Sequence, residues 1–119
     1  MSLRGEVTIT VCGEELSLAP TYKAIEAIIR RLDKGPHALL NRFTGGDPRH
    51  TDMLVLVEEG LRGAGHLGAN GSKPRFTTEQ IADDIVDRFS EYLMPVLTLL
   101  VNFNGGAPKK ADSQDEGSP

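Results

Sequence analysis

The chain has 119 residues, with 13 Lys or Arg against 17 Asp or Glu, a formal charge of −4 and an isoelectric point near 5.3. At 39% hydrophobic and 25% charged residues it reads as one ordinary globular domain rather than a disordered or fibrous chain. The acidic balance provides no basic footprint for nucleic acid or an anionic membrane, and no apolar run approaches the roughly 20 residues needed to cross a bilayer. The single Cys12 excludes an intramolecular disulfide, and the N-terminal stretch has no signal-peptide core, so a cytoplasmic protein is expected.

Residues 6–11 alternate, with Val7, Ile9 and Val11 on one face and Thr8 and Thr10 on the other. Gly13 at a turn, followed by resumed alternation through Leu16 and Leu18, predicts a β-hairpin whose apolar face needs helices beneath it. Thr21 is a fitting N-cap for a helix over 22–32 with a stripe of Tyr22, Ile25, Ile28, Ile29 and Leu32, stopped by Gly35. Pro36 then opens a short helix carrying Leu39, Leu40 and Phe43, which ends at Gly45-Gly46.

A third helix is predicted over 52–62, capped by Thr51, with its apolar stripe at Met53, Leu54, Val57 and Leu61. The glycine-containing stretch 63–76 reads as a loop, the longest in the domain. Thr77-x-x-Gln80 spells a capping box that opens a long helical pattern from Ile81 to Leu100, with Pro95 predicting a kink or break near Met94. Residues 105–119 hold no large apolar group and are expected to be a disordered tail, leaving 4–104 as the globular domain. The expected fold is α+β, a hairpin packed on four to five helices.

Chemistry-bearing patterns are sparse. Gly63-x-Gly65-x-x-Gly68 has the spelling of a dinucleotide fingerprint but follows a helix instead of a strand, so a loop is the better reading. His37, His50 and His66 lack ligand spacing, and Asp83, Asp84 and Asp87 fit a solvated helix face, with Asp84 placed to pair with Arg88. No catalytic residue, metal site or cofactor is therefore expected, and the protein does not read as an enzyme. The apolar stripe Val96, Leu97, Leu100 and Phe103 is the candidate partner-binding surface, with core burial as the competing use.

Two blocks carry a resemblance: Arg4-Gly5-Glu6-Val7-Thr8-Ile9 through Leu18-Ala19-Pro20-Thr21, and Gly60-Leu61-Arg62-Gly63-Ala64-Gly65. With Ala24-Ile25-Glu26-Ala27-Ile28, and with Leu39-Leu40-Asn41-Arg42-Phe43 before Gly46-Asp47, they resemble the small tail-assembly proteins of gene transfer agents and prophages, over residues 4–65. The resemblance implies a non-enzymatic role, either as a tail assembly chaperone or as a minor tail-tube component. Its implied partners are the tail tape-measure protein, the tail-tube protein, or further copies of the chain. The stretch 66–76 and the Pro-interrupted helix after it depart from the family pattern. The rival reading is a small ligand-binding or regulatory domain that uses the glycine-rich 63–76 loop.

Overall fold

The computed structural model describes residues 5–67 and 76–106. Strands β1 (Val7–Val11) and β2 (Glu14–Leu18) pair antiparallel, Val7 opposite Leu18 and Val11 opposite Glu14, and five helices follow: α1 (Tyr22–Leu32), α2 (Pro36–Thr44), α3 (His50–Gly63), α4 (Thr78–Asp87) and α5 (Phe89–Val101). The fold is the expected α+β arrangement, a hairpin on helices. The loop residues 68–75 and the tail beyond Gly106 lie outside the described residues.

The period-two pattern of β1 is realised directly, since Val7, Ile9 and Val11 are buried while Thr8 and Thr10 are exposed. The connecting turn places both Cys12 (φ 51°) and Gly13 (φ 84°) in the left-handed region, the geometry of a two-residue hairpin turn matched to the strand twist. α3 lies under β2 and also packs against α1, α4 and α5, and α5 underlies β1 and meets α2. The core is therefore continuous from Ile9 and Leu18 through Leu56 and Leu61 to Leu99 and Leu100.

Several local signals act as read. Thr21 Oγ1 accepts from the Ala24 N–H at 3.1 Å, and Thr77 and Gln80 exchange both capping-box bonds at 3.1 and 2.9 Å. Others differ. On α1 the fully buried positions are Ala24 and Ile28, while Tyr22 is 72% exposed and Ile29 also faces out. The left-handed cap of α1 falls on Asp33 (φ 56°), freeing Gly35 to cap α2 instead. α3 starts at His50 with Arg49 as its cap, so Thr51 lies inside the helix.

The expected break near Met94 is displaced. Pro95 sits within α5, and the discontinuity falls at Arg88, whose backbone leaves helical geometry (φ −134°, ψ 42°). The cause is tertiary. The Asp84 carboxylate accepts from Arg88 Nη2 at 2.9 Å, from the Tyr92 hydroxyl and from the Cys12 N–H at 3.0 Å, so one group draws α4, α5 and the hairpin turn together. Asp84 is thus a partly buried joint rather than a member of a solvated face.

Candidate functional site

The two blocks that carry the resemblance meet in space. The Ala19 N–H donates to the Gly60 carbonyl at 3.0 Å, so the exit of β2 is hydrogen-bonded to α3. A Cβ at Gly60 would lie 2.9 Å from Leu18 Cβ, and one at Gly63 would lie 2.8 Å from the Ala19 carbonyl oxygen and 3.0 Å from the Thr21 hydroxyl that caps α1. Only glycine permits α3 to approach this closely. Gly5 lies against Pro20 and its carbonyl accepts from Asn102 Nδ2 at 2.7 Å, which ties the start of the hairpin to the end of α5. The signature residues hold a packing joint, and Thr21, Ala24, Arg62 and Gly63 also line a groove between α1 and α3.

The four stripe residues divide. Val96 and Leu100 are fully buried and belong to the core of the chain itself, because α5 turns that side toward β1, α2 and α3. They are not available to a partner. Leu97 and Phe103 are half-buried at the edge of the core. Met94 (65% exposed) and Val101 (40% exposed) lie three residues before and four after Leu97, so the three share one face of α5. Glu91 is the sole charged residue of this helix.

Sequence reasoning overlooked the buried acids of α3. Asp52, Glu58 and Glu59 are each about 5% exposed or less. Asp52 pairs with Arg42 at 2.7 Å. Glu58 accepts from Arg31 at 2.7 Å and from the Thr78 hydroxyl at 2.6 Å, while Glu59 binds both Arg31 (2.8 Å) and Arg62 (2.7 Å). Burial disfavours the charged Arg31 guanidinium, but its hydrogen bonds and charge pairing with Glu58 and Glu59 outweigh this and hold its pKa above the usual value. These ion pairs cross-link α1 and α2 to α3, and the Thr78 hydroxyl ties in α4. A groove of about 670 Å³ runs beside them between α1 and α3, lined by Tyr22, Lys23, Glu26, Arg30, Glu59 and Arg62 among others. Its Glu59 is already engaged by two guanidinium groups.

The remaining reactive groups are also spent on structure. Ser17 donates its N–H to His66 Nε2 at 3.2 Å, with its hydroxyl 2.9 Å from the same nitrogen. That nitrogen therefore acts as acceptor, and the ring fastens the segment after α3 to the outer edge of β2. Among the described residues no carboxylate hydrogen-bonds the ring in the manner of a catalytic triad. His50 packs against Phe89 in a tilted arrangement, with ring centroids 4.6 Å apart and planes at 41°. Burial, and then the Asp84 charge, push the Cys12 thiol up, which favours its inert protonated form. The Tyr92 hydroxyl is likewise raised by burial and by donating to Asp84.

Among the described residues no three His, Cys, Asp or Glu side chains are grouped to hold a metal ion, and no helix is long and apolar enough to cross a membrane. No curated protein and no solved structure matches the chain. A family model described as "Phage tail tube protein, GTA-gp10" does match, over residues 4–106. That span takes in both glycine blocks, the hairpin and all five helices, and the chain belongs to this phage tail tube family, a structural one associated with gene transfer agents.

Proposed function

We propose that the chain is a non-enzymatic component of a phage-tail-like particle that associates with the tail tube by protein–protein binding. On this reading it is made in the bacterial cytoplasm, joins the tail-tube or tape-measure protein there, and remains in the finished particle. The observation that carries the reading is the division of labour in the fold. Gly60, Gly63, Ala19 and Thr21 are committed to packing and Asp84, Glu58 and Glu59 to internal pairs, while α5 presents Met94, Leu97 and Val101 on a face whose single helix charge, Glu91, stands at its margin. A face of large apolar side chains with a charge only at its rim suits a protein partner better than a small ligand.

The experiment is mass spectrometry of purified particles from a strain in which this gene is deleted and then complemented with the wild-type chain or with Leu97→Asp. A tube-associated component is present in wild-type particles, and tails fail to form or lose this protein when Leu97 carries a charge. Normal assembly without the chain would refute a structural role. Absence from otherwise dependent particles would replace the tube-associated reading with that of an assembly chaperone.

A further inference from the structure

The two edges of the hairpin are treated differently. With a two-residue turn closing on Val11 and Glu14, the pairs Val11–Glu14, Ile9–Leu16 and Val7–Leu18 exchange the hydrogen bonds inside the hairpin, and the N–H and C=O groups of Thr8 and Thr10 on β1 and of Glu15 and Ser17 on β2 point outward. The outer edge of β2 is partly closed: His66 takes the Ser17 N–H, the Gly60 carbonyl takes the Ala19 N–H just after the strand, and Glu15 places a charge on the remainder. The outer edge of β1 has no such cover among the described residues. Among the described residues no hydrogen bond reaches the outward groups of Thr8 or Thr10, and at the end of the strand the Cys12 N–H is turned away to Asp84.

Exposed edges are ordinarily defended by Lys, Pro, a bulge or an inward charge. β1 has none of these. Its sequence Val7-Thr8-Ile9-Thr10-Val11 is β-branched at every position, the composition best suited to strand pairing. We infer that β1 is a strand-addition site for a second copy of this chain, the two β1 strands meeting antiparallel about a two-fold axis at Ile9.

The register follows from which groups point outward. Centring on Ile9 sets Thr8 opposite Thr10 of the other copy, and the reverse, so the two outward N–H groups of each chain find carbonyl acceptors and four bonds close the contact. The ladder ends where Cys12 turns away. Val7, Ile9 and Val11 of both copies then share the face that the helices already cover, giving a four-stranded sheet with Thr8 and Thr10 on the open side. Centring on Thr8 instead would bring Glu6 into the ladder against Thr10, and centring on Thr10 would require Cys12 to extend. Self-pairing is favoured over a foreign strand because an uncharged, threonine-lined edge is complementary to itself. The inference rests on the hairpin alone and leaves the α5 face untouched, so it stands or falls separately from the tail-tube reading.

The test compares the full chain with Thr10→Pro, with a Thr8→Lys/Thr10→Lys pair, and with a Thr8→Lys/Thr10→Glu pair, using sedimentation velocity across a dilution series. Pro at position 10 removes an outward N–H and costs the hairpin no internal bond. The two-Lys variant sets like charges opposite each other across the axis, whereas the Lys/Glu variant sets opposite charges there. The expected result is concentration-dependent doubling of mass in the wild type, its loss in the proline and two-Lys variants, and its retention in the Lys/Glu variant. Amide exchange at Thr8 and Thr10 should slow as concentration rises. A wild type that stays monomeric, a two-Lys variant that associates like wild type, or Thr8 and Thr10 amides that exchange equally fast at all concentrations would overturn it.

Discussion

Replacing Gly60 by alanine separates two effects of opposite sign. In the interior of an exposed helix, glycine is about 1 kcal/mol less favourable than alanine, so the substitution should stabilise α3 if nothing else changes. At this position the new methyl group would stand 2.9 Å from Leu18 Cβ, 3.0 Å from Leu18 Cδ2 and 3.3 Å from Leu99 Cδ2. Leu18 Cβ is fixed to a strand whose next residue, Ala19, is hydrogen-bonded to Gly60 itself, so it cannot swing aside as the end of a long side chain would. Forcing a methylene-sized group into a packed core costs about 1–3 kcal/mol. The net expectation is a loss of about 1 kcal/mol, seen as a lower urea midpoint with an unchanged slope and a melting temperature lower by about 4 °C. A Gly60→Ala variant more stable than the wild type would refute the claim that the glycine exists to let α3 approach the hairpin.

Asp84→Asn tests the joint between α4, α5 and the hairpin turn. Burial tends to raise the Asp84 carboxyl, but hydrogen bonds from Tyr92, Arg88 and the Cys12 backbone outweigh it and hold the pKa below the usual carboxylate value. A pKa lowered in the folded state stabilises the fold above the unfolded value near about 3.9 and is lost as pH falls through the folded value. The Asp84→Asn variant should therefore melt lower than wild type at neutral pH, with the gap narrowing below about pH 4; a gap constant with pH in thermal melts would contradict this assignment. Leu100→Asp should abolish cooperative unfolding, since it buries an unpaired carboxylate at a position with 0% exposure, while Leu97→Asp should remain folded; circular-dichroism melts decide, and a folded Leu100→Asp protein would contradict the core placement. Arg31→Ala should cost about 2 kcal/mol in urea unfolding, between an exposed and a buried ion pair, because the Arg31 side chain is 36% exposed while its acids are buried, and Glu59 retains Arg62 whereas Glu58 keeps only the Thr78 hydroxyl. A loss below about 1 kcal/mol, the level of an exposed ion pair, would show that the Glu58 and Glu59 network is solvent-screened.

Sequence was informative wherever the deciding contacts are local. The alternation of Val7, Ile9 and Val11, the Thr21 cap and the Thr77–Gln80 box each depend on neighbours within a few positions, and each forms as read. α3 was harder. A stripe of Met53, Leu54, Val57 and Leu61 describes a helix with one covered face, but this helix is enclosed on several sides, so Val55 and Leu56, Glu58 and Glu59 are buried as well. Nothing near Glu58 in the chain announces that Arg31 and Thr78 will neutralise and cap it. The break at Arg88 was missed for a similar reason. Pro95 is the visible breaker, whereas Asp84 acts through a turn that lies 72 residues away. Of the candidate surface, periodicity correctly identified an apolar helix but could not distinguish its two sides: Val96 and Leu100 point inward and Leu97 lies at the rim.

The bond between Asn102 and Gly5 spans 97 positions of the chain, and α5 forms the floor beneath β1. During synthesis the hairpin emerges before its floor. At about 5–20 residues per second the interval is roughly 5–20 s, during which a marginal two-stranded element must keep Val7, Ile9 and Val11 without their final cover. A nascent chain in that state offers both a greasy face and an unpaired strand edge to whatever else is being translated nearby. Copies made together from one message would meet in this condition, before either has completed its own core.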